Sequence, residues 1–265
     1  MGVQARMMFF LPKRKLVILT SIVLVVAILT TANRLWVPGN SRQAISAVLN
    51  FNRRVPIYCV QTAEKRIAIS FDAAWGADRT DELLTILDEY DVKTTFFLVA
   101  FWLERYPEVA AQIVAAGHEI GNHSATHPHM NSLSAEQMRF ELETTHRLIK
   151  ETTEQEATLF RPPFGEYNNL LIETVEQLGY HTIQWSVDSL DWRPTTAADI
   201  VQRVTSKIAP GAIVLFHNNA EHTPAALRPI LDYCRQEGYE VVPISELLLK
   251  GEYYIDKSNG MMRPR

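Results

Sequence analysis

From Lys65 onward the apolar residues follow two alternating rhythms. Residues 66–71 (Arg-Ile-Ala-Ile-Ser-Phe) read as a buried strand, and Asp78 stands where it could cap a helix whose apolar face is Leu83, Leu84, Leu87 and Tyr90. Residues 93–99 are rich in Thr and Phe and predict a strand, followed by a helix over 107–116 that Gly117 stops. A short strand at 118–121 comes next. Ser134 with Gln137 forms a capping box that opens a helix running to about Glu151. Residues 170–178 are helical up to Gly179, and 181–187 are strand-like. Thr196 with Asp199 makes a second capping box before Ile200, Val201, Val204 and Ile208. Residues 212–216 form a continuous apolar strand, 225–237 a helix, and 245–249 a shorter one. The tail 251–265 shows neither rhythm and reads as flexible.

Strands alternating with helices at this spacing predict parallel βα units in one α/β domain over residues 64–250. Asp72, His123, Asp188 and His217 each fall at or just beyond the carboxyl end of a predicted strand. That rim is where βα barrels assemble active sites.

The first part of the chain has a different texture. Residues 16–32 are almost wholly apolar and follow Lys13-Arg14-Lys15, so 1–15 reads as a basic cytoplasmic segment and 16–32 as a membrane anchor. Cleavage after Ala32 is the alternative; either way the domain lies outside the cytoplasm. Residues 33–63 read as a connector with Pro38, Gly39, Asn40 and Pro56, and Ile45, Val48 and Leu49 could make one short helix. Beyond residue 35 the chain holds 21 basic and 30 acidic residues, a net −9, and no basic patch, which argues against a nucleic-acid partner. Oligomeric state is not legible. Cys59 and Cys234 are far apart in sequence and are expected to be unpaired thiols.

The chemistry concentrates in five segments. His123-Ser-Ala-Thr-His127 places two imidazoles four positions apart on a short loop, a spacing suited to a divalent metal; Pro128 turns His127 away from helix. Beside it stand Ser70-Phe-Asp-Ala-Ala-Trp-Gly76, Arg161-Pro-Pro-Phe-Gly-Glu-Tyr167, Asp188-Ser-Leu-Asp-Trp192 and Ile213-Val-Leu-Phe-His-Asn218. In order and spacing these resemble the five motifs of the polysaccharide deacetylases, carbohydrate esterase family four, and most closely their membrane-anchored, sporulation-type members in Gram-positive bacteria. The resemblance implies a distorted (β/α) barrel with fewer than eight strands. It also implies hydrolysis of N-acetyl groups on N-acetylglucosamine-type residues of a cell-wall glycan. Position by position, it makes His123 and His127 ligands of a divalent metal, usually zinc. Asp72 becomes the general base, paired with Arg161, and His217 the general acid, paired with Asp191. Trp192 and Leu215 wall the acetyl pocket, although both also suit ordinary core. The backbone N–H of Phe164 faces the oxyanion, and Tyr167 contacts substrate.

One departure stands out. The family's first motif carries two consecutive aspartates, the second a metal ligand; here Ala73 follows Asp72. The ligand set is therefore incomplete. Water, Asp78 or His129 could complete it, substrate could, or the protein could be a glycan-binding envelope protein with little turnover. His118, His129, His146, His181 and His222 are otherwise expected to be structural or on the surface.

Overall fold

The computed structural model describes residues 53–265. The basic segment 1–15, the apolar segment 16–32 and the helix expected at 45–49 lie outside the described residues. In chain order the elements are β1 (Cys59–Val60), β2 (Arg66–Ala73), α1 (Thr80–Glu89), β3 (Thr95–Leu98), α2 (Ala100–Arg105), α3 (Pro107–Ala115), β4 (Glu119–Asn122) and α4 (Ala135–Thr153). They continue with β5 (Leu159–Phe160), α5 (Asn169–Gln177), β6 (His181–Thr182), β7 (Val187–Asp188), α6 (Ala197–Thr205), β8 (Ile213–His217), α7 (Thr223–Glu237), β9 (Glu240–Val241), α8 (Ile244–Leu247), β10 (Tyr253–Ile255) and β11 (Met261–Pro264). Both capping boxes form as the sequence predicts.

Strand order in the main sheet is β6-β5-β4-β3-β2-β8-β7, all parallel, with β9 also pairing β2. Alternation along each strand separates two faces. Ile67, Ile69 and Phe71 of β2, Phe96 and Leu98 of β3, and Val214 and Phe216 of β8 pack outward among the helices. Ala68, Phe97, Leu159, Ile183 and Ile213 form a second cluster on the inner face. The sheet is strongly curled. Its two edge strands, β6 and β7, are separated by residues 183–186 alone, so extended chain can span at most roughly 17 Å between their facing ends. This is a curled parallel half-barrel, in keeping with the expected distorted barrel.

Two expectations need correction. The segment 181–187 is not one strand, because it must leave one sheet edge and join the other. Ile183 bridges Ile57 midway, and the Gln184 amide donates to the Ile57 carbonyl at 2.7 Å. The tail 251–265 is not loose: β10 and β11 form a three-stranded sheet with β1. Met262 is fully buried in the inner cluster, which supplies the apolar burial that a survey of periodicity misses in so short a strand. The end of the expected connector is accordingly part of the domain.

Candidate active site

The inner face changes character toward the carboxyl ends of the strands. In register, Asp72 of β2 stands beside His217 of β8 and Phe97 of β3, and Phe97 beside Gly121 of β4. Gly121 is small for a reason: a Cβ there would lie 2.4 Å from the Phe97 ring. The ring in turn carries the guanidinium of Arg161, whose Cζ lies 4.1 Å from its centroid. Arg161 is fully buried; its Nη1 donates to Asp72 Oδ1 at 2.7 Å and its Nη2 to Ser70 Oγ at 2.8 Å. Burial alone would raise the Asp72 carboxyl, but Arg161, with His123 and His217, outweighs it and holds the pKa below the ordinary carboxylate value.

The two imidazoles sit on the loop after β4. Ser124 and His127 have φ of 72° and 55°, a left-handed backbone that costs a non-glycine residue about 1–2 kcal/mol. Surrounding hydrogen bonds enforce it. Asn122 Oδ1 accepts from the Ser124 amide at 2.9 Å, and Ser124 Oγ from the His127 amide at 3.1 Å. Buried Glu141, on α4, accepts from the amides of Ala125 and Thr126 and from the Thr126 hydroxyl, each at 2.8 Å.

His123 Nδ1 lies 2.7 Å from the Arg161 carbonyl, which can only accept, so Nδ1 carries the proton. Burial lowers the pKa of His123, and it lowers that of His127 to about 4, so both rings are neutral near pH 7. The unprotonated Nε2 of His123 therefore faces Asp72 Oδ2, 3.5 Å away, acceptor to acceptor. A cation resolves that juxtaposition, so the donors fit a divalent metal in kind. In number they fall short. Among the described residues no group of three or more His, Cys, Asp or Glu side chains is placed to hold a metal. Neither proposed substitute joins the pair: Asp78 accepts from Asn219 instead, and His129 bonds Glu166 at 3.1 Å and stacks on Phe164. Nor does Asp78 cap α1, whose N-cap Arg79 makes no side-chain cap bond. Asp78 is held by Asn219, on the loop that follows the neighbouring strand β8.

Opposite the imidazoles, His217 Nδ1 bonds Asp191 Oδ1 at 2.7 Å, leaving Nε2 for the cavity. Asp191 Oδ2 also accepts from the His217 amide and the Thr223 hydroxyl, so both carboxylate oxygens are satisfied. Burial would favour the neutral ring, yet the Asp191 hydrogen bond and the nearby carboxylates raise the His217 pKa above its ordinary value. Phe164 sits at the tip of a tight 3-10 turn with φ of 58°. Gln184 Nε2 holds that turn by donating to the Gly165 carbonyl at 2.9 Å. Of the six non-glycine residues with positive φ among those described, Ser124, His127, Phe164 and Leu190 lie in three of the five motifs, where strain concentrates at functional sites.

These groups surround an open cavity of about 630 Å³. Asp72, His123, His127, Phe164, Trp192, Leu215 and His217 line it, while Arg161 and Asp191 brace it from behind. Trp192 is exposed rim and not core; Leu215 is buried in the wall. Tyr167 does not line the cavity. The chain turns away after Gly165, and Tyr167 packs against the core with its hydroxyl 3.4 Å from that of Tyr58. Trp75, Trp185 and Asn219 line the cavity without having been singled out in the sequence. Glu141 and Gly121 were missed as well, because each acts through a partner distant in sequence.

Residues 60–183 match the family model described as Polysaccharide deacetylase. The chain is 35% identical over 194 residues to a Bacillus cereus peptidoglycan-N-acetylglucosamine deacetylase, covering 71% of this chain and 91% of that one. It is 32% identical to the uncharacterized protein YlxY of Bacillus subtilis, covering 73% of this chain and 60% of YlxY. Among solved structures it resembles wild-type BA3943 of Bacillus anthracis, a CE4 family pseudoenzyme, with 37% identity and a TM-score of 0.71 over 73% of this chain and 68% of that one. It matches equally well, at TM-score 0.71, a BA3943 mutant with restored enzymatic activity. With this geometry and these likenesses, the chain belongs to the polysaccharide deacetylase family, carbohydrate esterase family four.

Proposed function

We propose that this protein hydrolyses N-acetyl groups from N-acetylglucosamine-type residues of a cell-wall glycan. The observation that carries the reading is the placing of two opposed proton carriers in one cavity: Asp72 paired with Arg161, which favours its ionised form, and His217 paired with Asp191, which favours its protonated form. His123 and His127 would hold a divalent metal, zinc by family resemblance, which when bound polarises the carbonyl and lowers the pKa of water. Asp72 accepts the proton of the attacking water. The Phe164 amide donates to the developing oxyanion. His217 delivers its proton from Nε2 to the nitrogen as the carbon–nitrogen bond breaks, leaving acetate and a free amine. Leu215 and Trp192 border the acetyl methyl. The test is acetate release from N-acetylglucosamine oligomers and from peptidoglycan, with zinc, cobalt or chelator. Release should fall by at least about a hundredfold in Asp72→Asn and in His217→Ala. No release from any glycan under any metal, by folded protein, rejects the reading.

A second reading is favoured by Ala73 and by the likeness to a pseudoenzyme: a glycan-binding envelope protein with weak or no turnover. It expects oligosaccharide binding that survives His217→Ala and no acetate. For location, the proposal is a single-pass anchor at 16–32 with the domain outside the cytoplasm. Protease treatment of intact protoplasts should then remove the domain, and its survival would argue against export.

A further inference from the structure

We propose that Trp75 is a stacking platform for the sugar adjoining the one that reacts, and that it makes this cleft select glycan chains over single sugars. The inference rests on the reading of the site as one for N-acetylated glycan, and it adds a residue that the deacetylation chemistry does not use.

Six large hydrophobic side chains stand exposed among the described residues, and three of them border this one cavity: Trp75 at 68%, Trp192 at 58% and Phe164 at 57%. Apolar surface gathered at a cavity mouth marks a binding region more often than single exposed residues do. Trp75 is also the most exposed of the six.

The backbone beside the indole is fixed by hydrogen bonds. Gly76, at φ 70°, turns the chain immediately after it. The Gly76 carbonyl accepts from Trp102 Nε1 at 2.7 Å and from Asn218 Nδ2 at 3.0 Å. Asn219 Oδ1 accepts from the Arg79 amide at 3.2 Å, so the loops after β2 and β8 are latched together. The Trp75 ring is propped by Phe101, 5.3 Å between centroids. A rigid, wet aromatic plate is costly in the free protein and useful only if something flat and partly apolar covers it.

Its position names the occupant. Trp75 and Phe164 both border His127, with ring centroids 5.9 Å and 4.6 Å from the imidazole. Trp75 therefore flanks the imidazole side of the site. Asn219 and Asp188 line the same cavity as the aromatic rings. A pyranose has an apolar C–H face and a hydroxyl edge, and it matches a cavity lined by both aromatic plates and amide and carboxylate groups.

The test titrates the full chain calorimetrically with N-acetylglucosamine and its dimer to hexamer. Affinity should rise with chain length in the wild type. Trp75→Ala should weaken the tetramer about tenfold, leave the single sugar nearly unchanged and leave the melting temperature in place. Trp75→Leu, which keeps apolar bulk without a ring, should behave like Ala, and Trp75→Phe should recover most of the affinity. Phe140→Ala, an exposed aromatic on α4 outside the cavity, should change nothing. Tetramer binding unaffected by Trp75→Ala and Trp75→Leu, or an equal loss for monomer and tetramer, overturns this proposal alone. If the wild type binds no oligomer and releases no acetate, the glycan reading falls and this proposal falls with it.

Discussion

Ala73 stands where the family's first motif carries its second aspartate. Its side chain is fully buried and belongs to the outer apolar cluster, while its neighbour Asp72 faces the cavity. Losing the carboxylate removed both a donor and a compensating charge, and apolar packing now fills the position. Ala73→Asp should therefore lower stability by about 3 kcal/mol without metal, because an unpaired carboxylate is buried. Zinc should recover that loss and raise the melting temperature more than it does in the wild type. Melting curves of both proteins with zinc and with chelator check this, and an identical zinc shift in the two would contradict it. His118 makes the second prediction at this scale. Buried, it accepts a hydrogen bond from the Thr94 amide at 3.1 Å, and burial together with Lys93 pushes its pKa from 6.5 down to about 4. The unfolded chain takes up a proton below about 6.5 while the folded chain resists until about 4, so stability is complete above pH 6.5 and lost as pH falls through that window. The loss is on the order of 3 kcal/mol by pH 4. Denaturant midpoints from pH 7 to pH 4 should show it, and His118→Gln should flatten that part of the profile.

At the scale of elements, helix α4 does more than cover the sheet. Glu141, one position before the core residue Leu142, reaches the loop between the imidazoles and satisfies two amides and a hydroxyl there. Glu141→Ala should cost about 2 kcal/mol, since the buried Ala125 amide and the partly buried Thr126 amide lose their acceptor. It should also weaken zinc binding, because the left-handed backbone at Ser124 and His127 loses what enforces it. Glu141→Gln keeps one acceptor and should fall between. Chemical denaturation and calorimetric zinc titration measure the two effects, and zinc affinity unchanged in Glu141→Ala would remove Glu141 from the site. Asp78 makes the converse point: a residue suited to cap α1 serves instead in the latch between two loops of the cleft.

Across the whole domain, closure is made from pieces that are weak individually. The parallel strands leave two edges, and residues 183–186 with Ile57 span them, while β11 holds β1 beneath. Truncation after Lys250 would remove β10, β11 and the buried Met262, leaving β1 without its partner. The truncated chain should melt several degrees lower, by about 2–4 kcal/mol for the lost side-chain burial alone. A melting temperature within a degree of the full chain would show that the tail is dispensable.

Much of this was legible along the chain. Helices with strong periodicity and capping boxes, such as α4 and α6, form where the residues call for them, because caps and apolar stripes are local properties. The alternation of strands and helices, the five motifs in order, and the Asp72-Ala73 departure are likewise written in consecutive residues. Tertiary structure decided what depends on partners far apart in sequence. It put Gly121 under Phe97 and Arg161 over it, brought Glu141 to the imidazole loop, and left Trp75 bare at the mouth of the cavity. It split the strand expected at 181–187 and ordered a tail whose short strands carry too little pattern to announce themselves. The physical reason is the same in each case: a local pattern specifies which face of an element is apolar, and only packing specifies what that face meets.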